Sequence, residues 1–126
     1  MRSALSIILG FAILIGASSY ISSEMKRTSH IIQDQLDQVE ILIQSDRWEE
    51  ASQQINQAYK SWSQAKKWFA TVLNHSTLNS IEICYQRLYQ FSQFKETSLS
   101  LAELKTLAIL IKDIPESDNL NLINIL

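Results

Sequence analysis

From Ala4 to Ile21 the chain runs through eighteen uncharged, largely apolar positions. Beyond them the apolar residues recur every three or four places, the period of a helix face and not the alternation of a strand. Ile32, Leu36, Val39 and Ile43 form one such stripe, predicting a helix over about 24–44 with no breaker between it and the uncharged stretch. Ser45 and Asp46 interrupt the pattern, and Asp46 followed by Glu49 reads as a capping box opening a second helix over 47–73. Its stripe is regular: Trp48, Ala51, Ile55, Ala58, Trp62, Ala65, Phe69 and Val72, with alanines letting a neighbouring helix approach closely. Asn74 to Thr77 makes the next connection, where Asn suits a left-handed helix end and Ser76 or Thr77 suits the following cap. A third helix over 78–94 carries Leu78, Ile81, Tyr85, Leu88 and Phe91. After a turn at Lys95–Ser98, a fourth over 98–114 carries Leu101, Leu104, Ala108, Ile111 and Ile114 and is expected to stop at Pro115. The apolar tail, 120–126, needs a surface to cover it, most simply the bundle.

Short connections between helices of similar length favour antiparallel neighbours. The expected fold is therefore all-α: an N-terminal transmembrane helix, residues 1–23, followed by an up-and-down antiparallel four-helix bundle, residues 24–126. At about 1.5 Å per residue, the uncharged stretch at 4–21 comes close to spanning a ~30 Å hydrocarbon core. A cleaved secretory signal competes with a retained anchor, since Arg2 precedes the apolar run and Gly16, Ala17, Ser18 and Ser19 are small. The length of the run and the helix continuing behind it favour the anchor. Arg2 on one side against Lys26 and Arg27 on the other leaves the charge rule nearly balanced. The very short head before the apolar run then places the domain outside the cytoplasm. Ala12 and Gly16 form a small-xxx-small pair that would admit a homo-oligomer, although lipid-facing filler accounts for it as well.

Composition removes several functions. The 126 residues allow one small soluble domain, with 11 Lys+Arg against 13 Asp+Glu, an electrostatic balance unsuited to nucleic acid. Both glycines, Gly10 and Gly16, fall in the apolar segment, so no phosphate-cradling glycine loop can form in the rest. One cysteine, Cys84, permits no intrachain disulfide. His75, Glu82 and Cys84 make a conceivable metal trio without recognisable ligand spacing, so no metal, cofactor or catalytic residue is assigned. Asp34, Asp37 and Glu40 read as a solvated acidic edge. Lys60, Trp62, Lys66, Lys67 and Trp68 interleave basic and aromatic residues on one helix. Since Trp62 belongs to the apolar stripe, the candidate interaction surface reduces to Lys66, Lys67, Trp68 and His75.

The chain resembles a bacterial family of unknown activity, domain-of-unknown-function family 4363. The resemblance is carried by Asp46, Trp48, Glu49, Glu50 and Ala51 at a helix start, by Trp62 and Trp68, and by the turn at His75. Ile81, Glu82 and Ile83, then Glu103, Leu104 and Lys105, and finally Ile114, Pro115, Asn124 and Ile125 continue it. Ser76 and Thr77 depart from the more acidic turn expected there, which further weakens a ligand role for His75. The resemblance implies a small, membrane-associated helical protein of a Gram-positive type of bacterium, with no catalytic residues to carry over. Three functions follow as expectations. The first is a non-enzymatic, single-pass, extracytoplasmic module, held in the bacterial cell membrane by residues 4–21, that accompanies another membrane or envelope protein. The second is a bundle sensing a small ligand near Trp62, Tyr85 and Tyr89. The third is a secreted helical protein after signal cleavage.

Overall fold

In a computed structural model the described residues form four helices: α1 (Arg2–Gln44), α2 (Trp48–Phe69), α3 (His75–Gln93) and α4 (Thr97–Ile125). The structure describes residues 2–70 and 73–125, and the side chains of these except Trp68 and residues 115–125. Val72 and the side chains of the 120–126 tail thus lie outside the described residues. No strand occurs among the described residues. α1 packs on α2 and α4, and α3 packs on the same two, so each helix has two neighbours across a shared core.

That core follows a heptad-like step on every helix. On α1 the buried positions are Met25, Ser29, Ile32, Leu36, Val39 and Ile43, which extends the expected stripe two steps toward the N-terminus. On α2 Ala51, Ile55, Ala58, Trp62, Ala65 and Phe69 are buried, with Trp48 packed at its edge. α3 buries Leu78, Ile81, Tyr85, Leu88 and then Ser92, not Phe91, which is only half-buried. α4 buries Ser100, Leu104, Leu107, Ile111 and Ile114, so its true seam runs through Ser100 and Leu107 while Leu101 and Ala108 flank it. Three serines therefore occupy seam positions that an apolar count passes over.

The turns also differ from the sequence expectation. Asp46 does not cap α2: it adopts φ 58° and closes α1. Its N–H donates to the Ile43 carbonyl at 3.1 Å and the next N–H, of Arg47, reaches back to Leu42 at 2.9 Å. This is the Schellman pattern, in which a left-handed residue satisfies the last carbonyls of a helix. Lys95 repeats it after α3, with φ 55°, its N–H on Ser92 O at 3.2 Å and the Glu96 N–H on Phe91 O at 3.0 Å. Between α2 and α3, Asn74 is extended (φ −78°, ψ 160°) and accepts from the Thr77 N–H at 2.8 Å, so Asn74 is the cap and α3 starts at His75.

Pro115 does not end α4, which continues to Ile125. A proline inside a helix brings no N–H to the carbonyl four residues back, here that of Ile111. The Ser29 hydroxyl on α1 donates to this carbonyl at 2.9 Å from a buried position, and Gln33 Nε2 donates to Ser29 Oγ at 3.0 Å. The neighbouring helix thus supplies the hydrogen bond that the proline withholds.

Candidate functional site

The α2–α3 seam has the least contact of the four helix pairs, yet most of the side-chain hydrogen bonds between helices among the described residues cross it. Its centre is Glu82 on α3, whose carboxylate reaches across to α2. The Tyr59 hydroxyl donates to Oε2 at 2.9 Å, while Trp62 Nε1 and Lys66 Nζ donate to Oε1 at 3.2 and 2.9 Å. Tyr59, Trp62 and Lys66 lie three or four residues apart on α2, hence on one face. Burial pushes the Glu82 carboxyl up, but hydrogen bonds from Lys66, Tyr59 and Trp62 and the charge of Lys66 outweigh it, and the net pKa is lowered. Beside this node, Tyr85 is 2% exposed and donates its hydroxyl to the Ala58 carbonyl at 3.3 Å. Burial, then the charge of Glu82 and the proximity of Tyr59, keep Tyr85 protonated by raising its pKa. The Tyr59 and Tyr85 rings meet edge to face at 5.3 Å.

The same seam opens into a cleft of about 260 Å³ lined by Ile55, Asn56, Tyr59, Tyr85, Gln86 and Tyr89. A second cleft of about 360 Å³ adjoins it through Asn56 and Tyr89 and extends toward Trp48, Gln53 and Lys95 at the bundle end. Small polar residues separate the helices there: Gln93 Nε2 donates to Ser52 Oγ at 2.9 Å, and Ser52 and Ser92 hydroxyls meet at 3.3 Å.

The trio of His75, Glu82 and Cys84 is not brought together as a metal site, and no group of three such ligands forms among the described residues. Glu82 turns to α2, and His75 is exposed at the first turn of α3. Cys84 is buried toward α4, where burial and the neighbouring Glu103 raise its pKa, Arg87 opposing only in part. A thiol held protonated in this way is a weak nucleophile. Of the candidate surface residues, Lys66 pairs with Glu82 and Lys67 is exposed, while the Trp68 side chain lies outside the described residues. The sequence placed a ligand near Trp62, Tyr85 and Tyr89; the two tyrosines line the cleft, whereas Trp62 is fully buried in the core and does not. Nothing in the sequence pointed to Tyr59, Asn56 and Gln86, whose solvent-side spacing has no hydrophobic signature.

At the other end of the molecule, α1 continues past the bundle. Leu5, Ile7, Ile8, Leu9, Phe11, Ile13, Leu14 and Ile15 are all between 57% and 73% exposed, and the first buried residue is Met25. By length and composition α1 is apolar enough to cross a membrane.

The family model described as Domain of unknown function (DUF4363) matches residues 19–125, the bundle together with the last turn of the apolar segment. No match was found among curated proteins or among solved structures.

Proposed function

The chain belongs to the DUF4363 family, and from that premise we propose a membrane-anchored, extracytoplasmic helical bundle that serves as a non-enzymatic interaction or accessory module for another membrane or envelope protein. One observation carries the reading: the N-terminal part of α1 presents large apolar side chains all round, detached from the core. In water each such side chain costs roughly 1.5–3 kcal/mol relative to burial, and a bilayer removes that cost. Helix α1 passes without a break from this segment into the buried seam at Met25, which favours a retained anchor over a cleaved leader. Short connections, with each helix touching two neighbours, support the up-and-down antiparallel arrangement. The reactive side chains support a non-catalytic role: Glu82 is saturated with donors and Cys84 is held as a thiol.

Fractionation of native membranes tests the reading. The intact chain, with residues 1–23 still present by mass, should stay with the membrane through alkaline washing. External protease should remove the bundle from spheroplasts, and crosslinking should recover one consistent protein partner. A mature chain lacking the apolar segment, or a bundle protected from external protease, would overturn the anchored, outward-facing reading. A second reading, a bundle that holds a small ligand, is favoured by the cleft at Tyr85 and Tyr89.

A further inference from the structure

We infer that the α2–α3 seam binds a neutral saccharide chain, with sugar rings laid on the Tyr59 and Tyr89 side chains and hydroxyls met by the Asn56 and Gln86 amides. This deepens the ligand-holding reading and rests on it. The first cleft is lined by three tyrosines, one aliphatic residue and two amides, and by no charged residue. That lining disfavours phosphates, carboxylates and amines, which need a counter-charge when desolvated. The cleft is open to solvent, so its occupant stays wet on one side. A planar aromatic ligand gains most from enclosure, where most of its surface is buried. A pyranose suits the open geometry, having an apolar C–H face to lie on an aromatic ring and a rim of hydroxyls for amides and water.

Three further observations agree. Tyr59 and Tyr89 are 38% and 39% exposed, half sunk and half presented, whereas Tyr85 forms the closed floor beneath them. The Tyr59 hydroxyl is tied to Glu82, so the ring is fixed before any ligand arrives and little entropy is lost on binding. The Asn56 and Gln86 amides have no hydrogen-bond partner among the described residues and line the cleft with both donor and acceptor capacity. The adjoining cleft continues with Trp48, Ser52, Gln53 and Gln93, and carries the charged Glu49 and Lys95 as well. A row of aromatic faces interleaved with amides and hydroxyls fits a linear chain of more than one ring.

The test uses the full chain in detergent micelles whose headgroup is not a sugar. Chitotetraose is the saccharide, with an uncharged tetrapeptide and indole as comparators, read by titration calorimetry and saturation-transfer NMR. Chitotetraose should bind, and both Tyr89→Ala and Asn56→Ala should weaken it by about tenfold or more without altering the melting temperature. Tyr89→Phe, which keeps the ring face, should retain binding even if the alanine variant folds poorly, and Lys105→Ala, remote from the cleft, should be neutral. Absence of chitotetraose binding up to ~10 mM, or equal binding by wild type, Asn56→Ala and Tyr89→Ala, overturns the inference. Binding of indole or the tetrapeptide in its place overturns the saccharide assignment and leaves a ligand-holding cleft standing. If none of the three binds, that reading fails as well.

Discussion

Asp46 and Lys95 hold left-handed conformations that a Cβ makes unfavourable, and the region outside the apolar segment has no glycine to take them. Replacing either by glycine removes that clash at a small entropic cost. Asp46→Gly and Lys95→Gly should each stabilise the fold by about 0.5–1 kcal/mol, visible as a higher urea midpoint with an unchanged slope. Glu82 sets a second expectation. Because its folded pKa lies below that of a free glutamate, the folded state binds fewer protons than the unfolded one at mildly acidic pH. The stability contributed by its bonds to Tyr59, Trp62 and Lys66 is fully present above the unfolded value and is lost as pH falls through the folded one. Denaturation midpoints of wild type should therefore drop between pH 5 and pH 3 more steeply than those of Glu82→Gln. Equal slopes would show that the carboxylate does not couple to folding.

Among the elements, α4 departs most from its sequence pattern. Pro115 reads as a stop because local rules weigh the missing N–H and the clash, and they cannot see that Ser29, distant in sequence, bonds the freed Ile111 carbonyl. Ser29→Ala should cost about 1–3 kcal/mol by stranding that carbonyl. In a Pro115→Ala background the new N–H takes over the bond, so the same substitution should cost markedly less. A double-mutant cycle by chemical denaturation measures the difference, and strict additivity would remove Ser29 from this role. The stripes of α1 and α2 were legible because their apolar residues announce the helical period: Ile32 to Ile43 and Ala51 to Phe69 are buried where the spacing puts them. The seams of α3 and α4 were only partly legible, because Ser92 and Ser100 fill buried steps and shift the apparent stripe onto Phe91 or Leu101. A serine small enough for a tight helix contact looks like a surface residue in one dimension. The cleft was half legible: Tyr85 and Tyr89 line it, Trp62 is taken up by the core, and Tyr59, Asn56 and Gln86 join the tyrosines only when α2 and α3 pack.

For the molecule as a whole, the exposed apolar part of α1 and the packed bundle ask for different solvents. Deleting residues 2–23 should give a fragment that is soluble without detergent, strongly helical by circular dichroism and cooperative in melting, since the described core starts at Met25. A fragment that aggregates or loses its helicity would mean that the apolar segment contributes to the bundle itself. Because one unbroken helix joins the two regions, the bundle has no swivel at its base. From Glu24 to Gln44 that helix rises about 30 Å, so in the anchored state the Asp46 and Lys95 turns stand that far off the lipid surface. Adding a single residue at Ser22–Ser23 would rotate the whole bundle by about 100° about the α1 axis relative to the apolar segment. If the proposed anchor holds, azimuth and altitude relative to the bilayer would be set by the length of one helix.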